Sequence, residues 1–475
     1  MSIEFAKKLT AHETPIPGVV LYDLPVHGDN RGWFKENWQR EKMVALGLPD
    51  FRPVQNNISF NEKAGTTRGI HAEPWDKFIS VATGRIFGAW VDLREGPTFG
   101  AVFTAQLDPS QAIFIPRGVG NAFQTLEDNT AYTYLVNDHW SADAQGQYTF
   151  LNLADETAAV QWPIPLDQAE LSEKDKAHPR LAQVEPMPAK KTLVVGADGQ
   201  LGKALRELYN GDKSVEFAGR AGFDLGSEAA FTEWNWKNYS TIINAAAYTA
   251  VDAAETGEGR AAAWAINVTA VARLARTAVE HDLTLVHVSS DYVFDGSRES
   301  HNEAEPFTPL GVYGQTKAAG DAVVSVVPRH YIVRTSWVIG EGNNFVRTMA
   351  SLAHRGVKPS VVNDQIGRLS FTEDIALGIR HLLDTGAHYG TYNLSNDGEP
   401  QSWADIAADV YELSEQPRTT VTGVSTEAYF KGKAAAPRPM NSVLELGKIK
   451  ASGYSPREAG EALRAYLEIT QAANA

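Results

Sequence analysis

The chain has 475 residues, 43% of them hydrophobic, which is enough for two or three folded domains. Its formal net charge of −15 argues against nucleic acid or an anionic membrane surface as the main partner, and the absence of cysteine excludes disulfides, thiolate nucleophiles and Cys-ligated metals. The N-terminus has no apolar signal segment, and no run reaches the roughly 18 apolar residues of a membrane span, so we expect a cytoplasmic protein.

Up to about residue 163 the pattern is typical of β structure. Runs rich in Val, Ile, Phe, Thr and Tyr, such as KFISVATGRIFGAWVDL and TAYTYLVND, are separated by Gly, Pro, Asp and Asn. Many short strands with such turns indicate a sandwich or a barrel. The stretch 163–191 holds five prolines and many charges, as domain boundaries often do. We therefore predict a first domain over 1–184 and a linker over 185–191.

The pattern changes at Thr192. TLVVGADGQLGKALREL is typical of a strand, a glycine turn and a helix, and TIINAAAY, TLVHVSSDYVF and HYIVRTSWVIG are typical of further buried strands. Alternating β and α segments indicate a parallel sheet with helices on both faces. The sequence therefore predicts an α/β domain of the doubly wound, Rossmann type over 192–475.

The glycine turn GADGQLG is the first candidate ligand site. Gly196, Gly199 and Gly202 follow an apolar strand and open a helix. Glycines let the backbone approach a pyrophosphate, and the helix N-terminus supplies N–H donors. The GxxGxxG spacing differs from the usual GxGxxG, so this motif by itself does not separate a cofactor site from an ordinary glycine-rich turn.

The stretch YGQTKAAGD carries the second signal. Tyr313 and Lys317 are four residues apart and share one face of a helix. A nearby ammonium favours the phenolate and lowers the phenol pKa, so Tyr313 can donate a proton to a carbonyl oxygen as hydride arrives. A YxxxK match is also found in solvated helices, but here it follows the glycine turn, NAAAY and Ser290 at a strand end. That order favours catalysis.

This order resembles the extended short-chain dehydrogenase/reductase family, and NAAAYTAVDAAE, SSDYVFDG, RTSWVIG and DQIG resemble its dTDP-4-dehydrorhamnose reductases. The resemblance implies hydride transfer from NADPH or NADH to a 4-keto sugar, with a small substrate-binding lobe beside the Rossmann sheet. It implies that Ser290, Tyr313 and Lys317 are catalytic. Three further residues are implied to line the sugar pocket: Asp291, Tyr292 and Trp337.

The same resemblance implies a set of cofactor contacts along the glycine turn and the following strands. They are Gly196, Asp198, Gly199, Gln200, Leu201, Gly202, Arg220, Asp224, Ala245, Ala246, Tyr248, Tyr313 and Lys317. Within this set we expect Asp224 at the adenine and Arg220 at a 2′-phosphate, although an exposed arginine without that role fits equally well. Mg2+ at the reductase is a further hypothesis. The chain departs from the family at Ile339, Leu369 and Ser370, which we expect in the pocket walls.

In the first half, TRGIHAEPWDKF, DNRGWFKE, VDLREGPTFG and LSEKD resemble the dTDP-4-dehydrorhamnose 3,5-epimerase family. That family implies a cupin-like jelly roll and a homodimer formed through it. The resemblance makes His71 the base, oriented by Asp175, with Tyr134 as the acid and Lys77 as the cation for the enolate oxygen. The implied dTDP-sugar contacts are Arg31, Glu36, Gln55, Asn57, Arg68 and Trp140.

Two electrostatic expectations accompany this site. Because of its arginines, we expect the pocket to be locally basic within an acidic molecule. We expect no metal, because His71 has no neighbour at ligand spacing along the chain.

Two positions depart from the epimerase pattern. Asn121 stands where the family has a histidine, and Gly88 stands where it has an aspartate. A paired acid and histidine are therefore missing. The cupin could accordingly be a non-catalytic binding or dimerising module fused to a reductase, or a single-centre epimerase making another deoxysugar.

The two halves together resemble consecutive enzymes of one pathway. The main interpretation is a bifunctional enzyme that epimerises dTDP-4-dehydro-6-deoxy-D-glucose and reduces the product to dTDP-L-rhamnose. Fusion would keep the epimerised ketone at high local concentration near the reductase. A non-enzymatic regulatory protein is the remaining alternative, and the retention of Ser290, Tyr313 and Lys317 argues against it.

Overall fold

The structure is a computed structural model that describes residues 3, 5–139 and 146–472. The chain divides into two compact units, Met1–Ala189 and Lys190–Ala475. Among the described residues, no helix combines the length and the apolar character needed to cross a bilayer.

Antiparallel strands build the first unit. In chain order they are β1 (Thr10–Glu13), β2 (Val20–Asp23), β3 (Val26–Asp29), β4 (Gly32–Lys35), β5 (Gln55–Asn61), β6 (Thr67–Ala72), β7 (Lys77–Thr83), β8 (Ile86–Asp92), β9 (Val102–Leu107), β10 (Gln111–Ile115), β11 (Val119–Thr125), β12 (Thr130–Val136) and β13 (Thr149–Phe150). Two short helices accompany them, α1 (Arg40–Val44) and α2 (Glu173–Lys176). One sheet has the order β1-β2-β10-β7-β12-β5, and the other has the order β13-β6-β11-β8-β9. This arrangement confirms the predicted cupin-like jelly roll.

The core of the first unit lies between the two sheets. Alternate side chains point inward, so Ile79 of β7 and Trp90 of β8 belong to one buried cluster. The outer face of the five-stranded sheet is covered by the later part of the unit, where Met187 packs with Ile70 and Val91. The site described below lies on β6, β7, β11 and β12, which this packing holds in place.

The junction between the units is short. The Met187 amide donates to the Leu93 carbonyl (2.8 Å), and the Met187 carbonyl accepts from the Glu95 amide (2.9 Å). The first strand of the second unit begins at Lys191. The segment 185–191, predicted as a linker, therefore contains residues that are hydrogen-bonded within each unit.

The second unit alternates strands and helices. Its strands are β14 (Lys191–Val195), β15 (Val215–Ala218), β16 (Tyr239–Asn244), β17 (Thr284–Ser290), β18 (His330–Thr335), β19 (Val338–Ile339), β20 (Ser360–Val362), β21 (Ile366–Gly367), β22 (Ser370–Phe371), β23 (Gly390–Asn393), β24 (Gln401–Ser402) and β25 (Thr422–Val424). Its helices are α3 (Gln200–Leu208), α4 (Glu228–Glu233), α5 (Gly257–Trp264), α6 (Val271–Glu280), α7 (Val312–Val324), α8 (Phe345–His354), α9 (Thr372–Asp384), α10 (Trp403–Leu413), α11 (Thr426–Phe430), α12 (Gly447–Ala451) and α13 (Ala459–Ala472). A π-helical segment, Ala265–Ala270, joins α5 to α6.

The main sheet of this unit is parallel, with the order β15-β14-β16-β17-β18-β23. Both faces are buried, because Leu193 packs into the hydrophobic cluster on one side and Val194 into the cluster on the other. The predicted Rossmann-type fold is confirmed. Strand order reverses between β14 and β16, and the carboxyl ends of the strands at such a point form the usual ligand crevice.

A smaller lobe has its own core. Three two-stranded sheets, β19–β22, β20–β25 and β21–β24, lie outside the main sheet. Met349 of α8, Val410 of α10 and Leu463 of α13 share one buried cluster. This is the expected small lobe.

Candidate active sites

A cavity of about 510 Å3 in the first unit brings together the four predicted catalytic groups of the epimerase half. His71, Lys77, Tyr134 and Asp175 all line it, together with the predicted sugar contact Arg68. They come from β6, β7, β12 and α2, so the fold joins parts of the chain that are far apart in sequence.

The His71–Asp175 pair is held from both sides. The Ser172 hydroxyl caps α2 by accepting from the Asp175 amide (3.1 Å), which fixes the carboxylate. His71 Nε2 lies 2.9 Å from Asp175 Oδ1. Burial disfavours the carboxylate, but the hydrogen bond and charge of His71, with the Gly69 amide, outweigh it and hold the pKa of Asp175 below its ordinary value. A carboxylate that orients a histidine in this way supports its use as a base.

Lys77 is buried and has a partner that sequence reasoning missed. Its ammonium forms an ion pair with Glu73, and both side chains are almost fully buried. Lys77 Nζ also lies 5.0 Å from the ring centroid of Tyr134. Burial, and then the charge of Glu73, raise the pKa of Tyr134, so the phenol keeps its proton at neutral pH. Glu73 stands four residues before Lys77 in HAEPWDK, a spacing that could have suggested the pair.

The two departures from the epimerase pattern are explained by one side chain, Trp90. Its indole N–H donates to Asn121 Oδ1 (3.0 Å), and Asn121 Nδ2 donates to the Tyr132 hydroxyl (3.0 Å). A Cβ atom at Gly88 would lie 2.2 Å from the Trp90 ring. The indole therefore occupies the space beside Gly88, and Asn121 lies opposite both Trp90 and His71 in the sheet.

The remaining predicted sugar contacts divide into two groups. Asn57 lines an adjoining cavity of about 230 Å3 that also touches His71, and Gln55 Nε2 donates to Asn57 Oδ1 (2.7 Å). By contrast, Arg31 lies beyond the end of β3, 84% exposed and paired with Asp29, and Glu36 pairs with Lys42. The structure does not bring Arg31 and Glu36 to either cavity. Trp140 lies outside the described residues.

The expectation of a locally basic pocket is wrong for the described residues. Arg68 and Lys77 line the larger cavity together with three carboxylates, those of Glu73, Glu170 and Asp175. The arginine predicted at position 31, which would have shifted this balance, is elsewhere on the unit.

The expectation of no metal rested on spacing along the chain, and the fold brings a second histidine to His71. His178 follows α2, and a ring nitrogen of His71, a ring nitrogen of His178 and an oxygen of Asp175 all lie within 4.8 Å of one another. Burial, followed by the charge of His71, lowers the pKa of His178, although Asp175 and the Leu151 backbone oppose this. Asp175 and His178 are three residues apart, so the signal was present in the LSEKDKAH run.

The glycine turn of the second unit fits a dinucleotide. Gly196 has φ +79°, and a Cβ atom there would lie 2.6 Å from the Ala246 amide nitrogen. A Cβ at Gly202 would lie 2.3 Å from the Gly196 carbonyl oxygen. Gly199 is the N-cap of α3, so the free amides of the first turn face the crevice at the ends of β14 and β16. Only glycine allows the backbone this close approach.

Several other predicted cofactor contacts surround this turn. The Asp198 carboxylate lies against Gly219 at the end of β15, and Arg220 next to it is 87% exposed on its side chain. Asp224 accepts a hydrogen bond from the Gly226 amide (2.9 Å) and so stabilises its own loop. The Arg220 side chain is largely exposed, and its Nε lies 3.8 Å from Asp224 Oδ2.

Two predicted cofactor contacts, Leu201 and Gln200, lie on α3. Two others, Ala245 and Tyr248, follow β16. The Leu201 side chain is buried in the core, so it offers a ligand only its backbone. Gln200 lines a groove of about 430 Å3 that also includes α9 and α13 residues. The Ala245 amide donates to the Val195 carbonyl, which fixes the chain beside the glycine turn. Tyr248 packs near Tyr313.

Asn267 is a further residue that sequence reasoning missed. It lies in the π-helical segment, is buried, and bonds both the amide and the carbonyl of Tyr248 (2.9 and 3.1 Å). Its Nδ2 also donates to Thr316 Oγ1 of α7 (3.1 Å). Asn267 therefore joins the Tyr248 loop to the helix of Tyr313 and Lys317. No sequence signal marked it, because a π-helical turn has no simple residue pattern.

The three predicted reductase groups lie at the carboxyl end of β17 and on α7. Ser290 ends β17, donates to Asp291 Oδ1 (2.9 Å) and accepts from the Tyr292 amide (3.2 Å). Burial raises the pKa of Tyr313 to about 12, with Asp291 acting in the same direction and Ser290 opposing it.

The expectation that Lys317 lowers the pKa of Tyr313 is wrong in this structure. Lys317 is 2% exposed, and its ammonium donates to the Val288 carbonyl (2.7 Å). Burial also lowers the pKa of Lys317 to about 8. Desolvation is the largest cause of the raised pKa of Tyr313, and the phenol keeps the proton that it would donate.

Two of the predicted sugar-pocket residues follow β17, and the third lies in the small lobe. Burial raises the pKa of Asp291 to about 6, and the Tyr292 ring lies edge-on to Tyr313 with centroids 5.4 Å apart. Trp337 instead stacks on Trp403 in the small lobe, with centroids 3.8 Å apart. Trp337 is therefore held by the small lobe.

The three positions at which the second unit departs from the reductase pattern are mainly packing positions. Ile339 and Leu369 are buried in the core of the small lobe, and Ser370 pairs with Val338 between β19 and β22. Leu369 is therefore a core residue, whereas Ile339 also lines the groove of about 430 Å3 beside Gln200. Nothing in the described part of the second unit supports the Mg2+ hypothesis, since the cluster of His71, Asp175 and His178 lies in the first unit.

The comparisons with known proteins match the two units separately. The family model described as dTDP-4-dehydrorhamnose 3,5-epimerase matches residues 13–183, and the family model described as RmlD substrate binding domain matches residues 190–472. A protein from Streptococcus pyogenes named "Protein RmlC homolog" is 50% identical over 192 residues, covering 39% of this chain and 96% of its own length.

Two further relatives match the second unit. The dTDP-4-dehydrorhamnose reductase of Aggregatibacter actinomycetemcomitans is 37% identical over 297 residues, covering 58% of this chain and 99% of its own length. The crystal structure of the Bacillus anthracis dTDP-4-dehydrorhamnose reductase in complex with NADP is 33% identical with a TM-score of 0.55, covering 59% of this chain and 99% of that one. The chain therefore belongs to two families, the dTDP-4-dehydrorhamnose 3,5-epimerases through its first unit and the RmlD reductases through its second.

Proposed function

We propose that the chain is a bifunctional enzyme of dTDP-L-rhamnose biosynthesis. The first unit epimerises dTDP-4-dehydro-6-deoxy-D-glucose at C3 and C5, and the second unit reduces the resulting ketone with NADPH or NADH. The observation that carries this proposal is the pairing of two reactive sets in one chain: His71, Asp175, Tyr134 and Lys77 around one cavity, and Ser290, Tyr313 and Lys317 at the sheet end of the other unit.

The epimerase chemistry requires proton removal next to a ketone. His71, oriented by Asp175, takes the proton from carbon, and the enolate oxygen that forms is stabilised by the Lys77 ammonium. Tyr134, whose phenol stays protonated, returns a proton from the other side. Glu73 holds Lys77 in place before substrate binds. This complete set favours an active epimerase over a cupin that only binds or dimerises.

The reductase chemistry requires a hydride and a proton on the same carbonyl group. The nicotinamide cofactor, when bound, supplies the hydride. Ser290 holds the carbonyl oxygen, Tyr313 donates the proton to it, and Lys317 supplies positive charge beneath them. The glycine turn accepts the cofactor pyrophosphate at the start of α3.

We further propose that NADPH is the preferred cofactor. The acidic residue that would hold a ribose 2′-hydroxyl in an NAD enzyme does not stand at the end of β15, where Gly219 and Arg220 follow the strand. Arg220 is exposed there and Asp224 is turned into its own loop. The exposed Arg220 guanidinium, whose Nε lies 3.8 Å from Asp224 Oδ2, suits a 2′-phosphate.

We propose a homodimer formed through the first unit. β5 is an edge strand of the six-stranded sheet, and its exposed face carries Ile58 (68% exposed) and Phe60 (58% exposed). An apolar edge of this kind is normally covered. Sedimentation equilibrium should show a dimer that Ile58→Glu weakens.

The two activities are tested with one substrate in deuterated water. The full chain is incubated with dTDP-4-dehydro-6-deoxy-D-glucose, first without and then with NADPH. We expect deuterium at C3 and C5, followed by NADPH oxidation and formation of dTDP-L-rhamnose. Oxidation that needs an added epimerase, with no deuterium uptake by the chain alone, would leave the first unit a binding module.

A further inference from the structure

The ring of His178 has no part in the proposed reaction, although it lies beside the base. It is 9% exposed, stacks on Phe150 with centroids 4.7 Å apart, and stands edge-on to His71 with centroids 5.3 Å apart. Neither ring nitrogen makes a hydrogen bond of normal geometry to a described side chain or backbone group. A buried neutral imidazole, with one ring-nitrogen lone pair available, is a ready metal ligand.

The distances around Asp175 suit a tetrahedral ion. Asp175 Oδ1 lies 2.9 Å from His71 Nε2 and 3.9 Å from His178 Nε2. A zinc ion roughly 2.0–2.2 Å from each ligand places the ligand atoms about 3.3–3.6 Å apart. These two distances bracket that value, and the ring nitrogens of the two imidazoles lie within 4.8 Å of each other. Two imidazoles and one carboxylate are also a common ligand set for Zn2+.

The three ligands are held in place before any ion arrives. Ser172 caps α2 and fixes Asp175. The Asn152 amide group donates to the carbonyl of His178 (3.0 Å) and to that of Lys176 (2.8 Å), which fixes the chain that carries the second imidazole. His71 is part of β6. Little ordering is therefore needed on binding, which favours affinity.

We propose that His71, Asp175 and His178 form a binding site for Zn2+ or a similar divalent transition ion, and that its occupancy switches off the epimerase. The inhibitory half of this proposal rests on the proposed function of His71, and the binding half does not. An imidazole that gives its Nε2 lone pair to a metal carries its proton on Nδ1. His71 then has no lone pair left to accept the substrate proton, and its hydrogen bond to Asp175 is replaced by metal bonds.

Metal binding is measured first, without any activity. The full chain, stripped of metal, is titrated with Zn2+ by calorimetry and with Co2+ while its visible absorption is followed. We expect one ion per chain, with the absorption of tetrahedral Co2+. His178→Gln should weaken binding by more than the roughly 10–100-fold that loss of a mere supporting contact costs. His178→Phe, which can still stack on Phe150, gives a second test if the first variant misfolds, and His27→Gln is the control at an exposed histidine. If all variants bind Zn2+ equally well, or if the unchanged chain binds no metal ion, the proposed site is wrong.

Inhibition is then measured by deuterium uptake into the 4-keto sugar. Zn2+ should stop uptake by the unchanged chain, whereas His178→Gln should remain active at the same Zn2+ concentration and should match the unchanged chain in metal-free buffer. Reduction of added dTDP-4-dehydro-L-rhamnose should continue in every case. If Zn2+ binds through His178 but uptake persists or rises, the switch is disproved. If the metal-free chain shows no uptake at all, the proposed epimerase function fails, and the titrations still decide the site.

Discussion

At the scale of single residues, the first unit shows how one large side chain can account for two substitutions. Trp90 lies over Gly88 and donates to Asn121, so the positions of the missing acid and histidine are filled by an indole and its acceptor. The hydrogen bonds are satisfied without charge, and the site keeps two ionisable pairs, His71–Asp175 and Lys77–Glu73.

Gly88→Ala should destabilise the first unit. A methyl group there would lie 2.2 Å from the Trp90 ring, and overpacking of this kind typically costs about 1–3 kcal/mol. Urea unfolding followed by tryptophan fluorescence would show the loss. Gly146→Ala is the matched control, since no heavy atom of the described structure lies within 4 Å of a Cβ built there. Equal stability of the two variants would contradict this packing.

Arg220→Ala should raise the KM for NADPH and leave the KM for NADH nearly unchanged. A charge-assisted hydrogen bond to a phosphate contributes about 1.5–3 kcal/mol of binding free energy, which corresponds to roughly a 10–100-fold change in affinity. Because the Arg220 side chain is so exposed, we expect a change at the lower end of this range. Steady-state kinetics with both cofactors checks this, with Arg276→Ala on the exposed side of α6 as control. A parallel change for both cofactors would mean that Arg220 does not meet a 2′-phosphate.

The pH dependence of the reductase should be set by Lys317. Its pKa is lowered to about 8, so it loses its charge as the pH rises through 8, whereas Tyr313, with a pKa of about 12, keeps its proton. We expect kcat/KM to fall above pH 8 in the free enzyme. A profile that stays flat from pH 7 to 10 would show that the charge on Lys317 is not needed.

At the scale of secondary structure elements, strand register decides what the site contains. The sequence predicted β6, β11 and β17 and, through family resemblance, the residues that meet in the cavity. It could not show that Asn121 lies opposite both His71 and Trp90, because register between strands depends on the whole sheet. The same limit hid His178, which reaches His71 only because α2 packs beside β6. Arg31 was misplaced for a related reason, since family resemblance does not fix where an exposed hairpin points.

The π-helical segment between α5 and α6 gives a prediction of its own. Asn267→Leu removes three hydrogen bonds that tie the Tyr248 loop to α7, so reductase kcat/KM should fall at least about tenfold, while deuterium uptake by the first unit stays unchanged. Asn267→Asp keeps the acceptor for the Tyr248 amide and should give an intermediate loss. Full reductase activity in Asn267→Leu would show that this link is dispensable.

At the scale of the whole molecule, the two units carry separate cores and separate reactive groups. Each unit supplies its full set of proposed catalytic side chains from its own residues. The chemistry of one unit should therefore survive the loss of the other.

Two inactive variants should accordingly complement each other. His71→Asn removes the base of the epimerase, and Tyr313→Phe removes the acid of the reductase. A mixture of the two chains with NADPH should convert dTDP-4-dehydro-6-deoxy-D-glucose to dTDP-L-rhamnose, after a longer lag than the unchanged chain because the ketone must diffuse between molecules. Product formation is followed by NADPH absorbance and chromatography. If the mixture is inactive while each variant retains its remaining activity, the intermediate does not leave the chain.

The short junction has a consequence for engineering. Met187 is bonded to Leu93 and Glu95, the Pro188 carbonyl accepts from Arg117 Nη1 (2.7 Å), and β14 begins at Lys191, so the two folds are joined at Ala189 and Lys190. A Gly–Ser spacer inserted after Ala189 would interrupt neither set of strands. The length of the spacer between the units can therefore be varied without altering either fold. Such variants would change the delay between epimerisation and reduction.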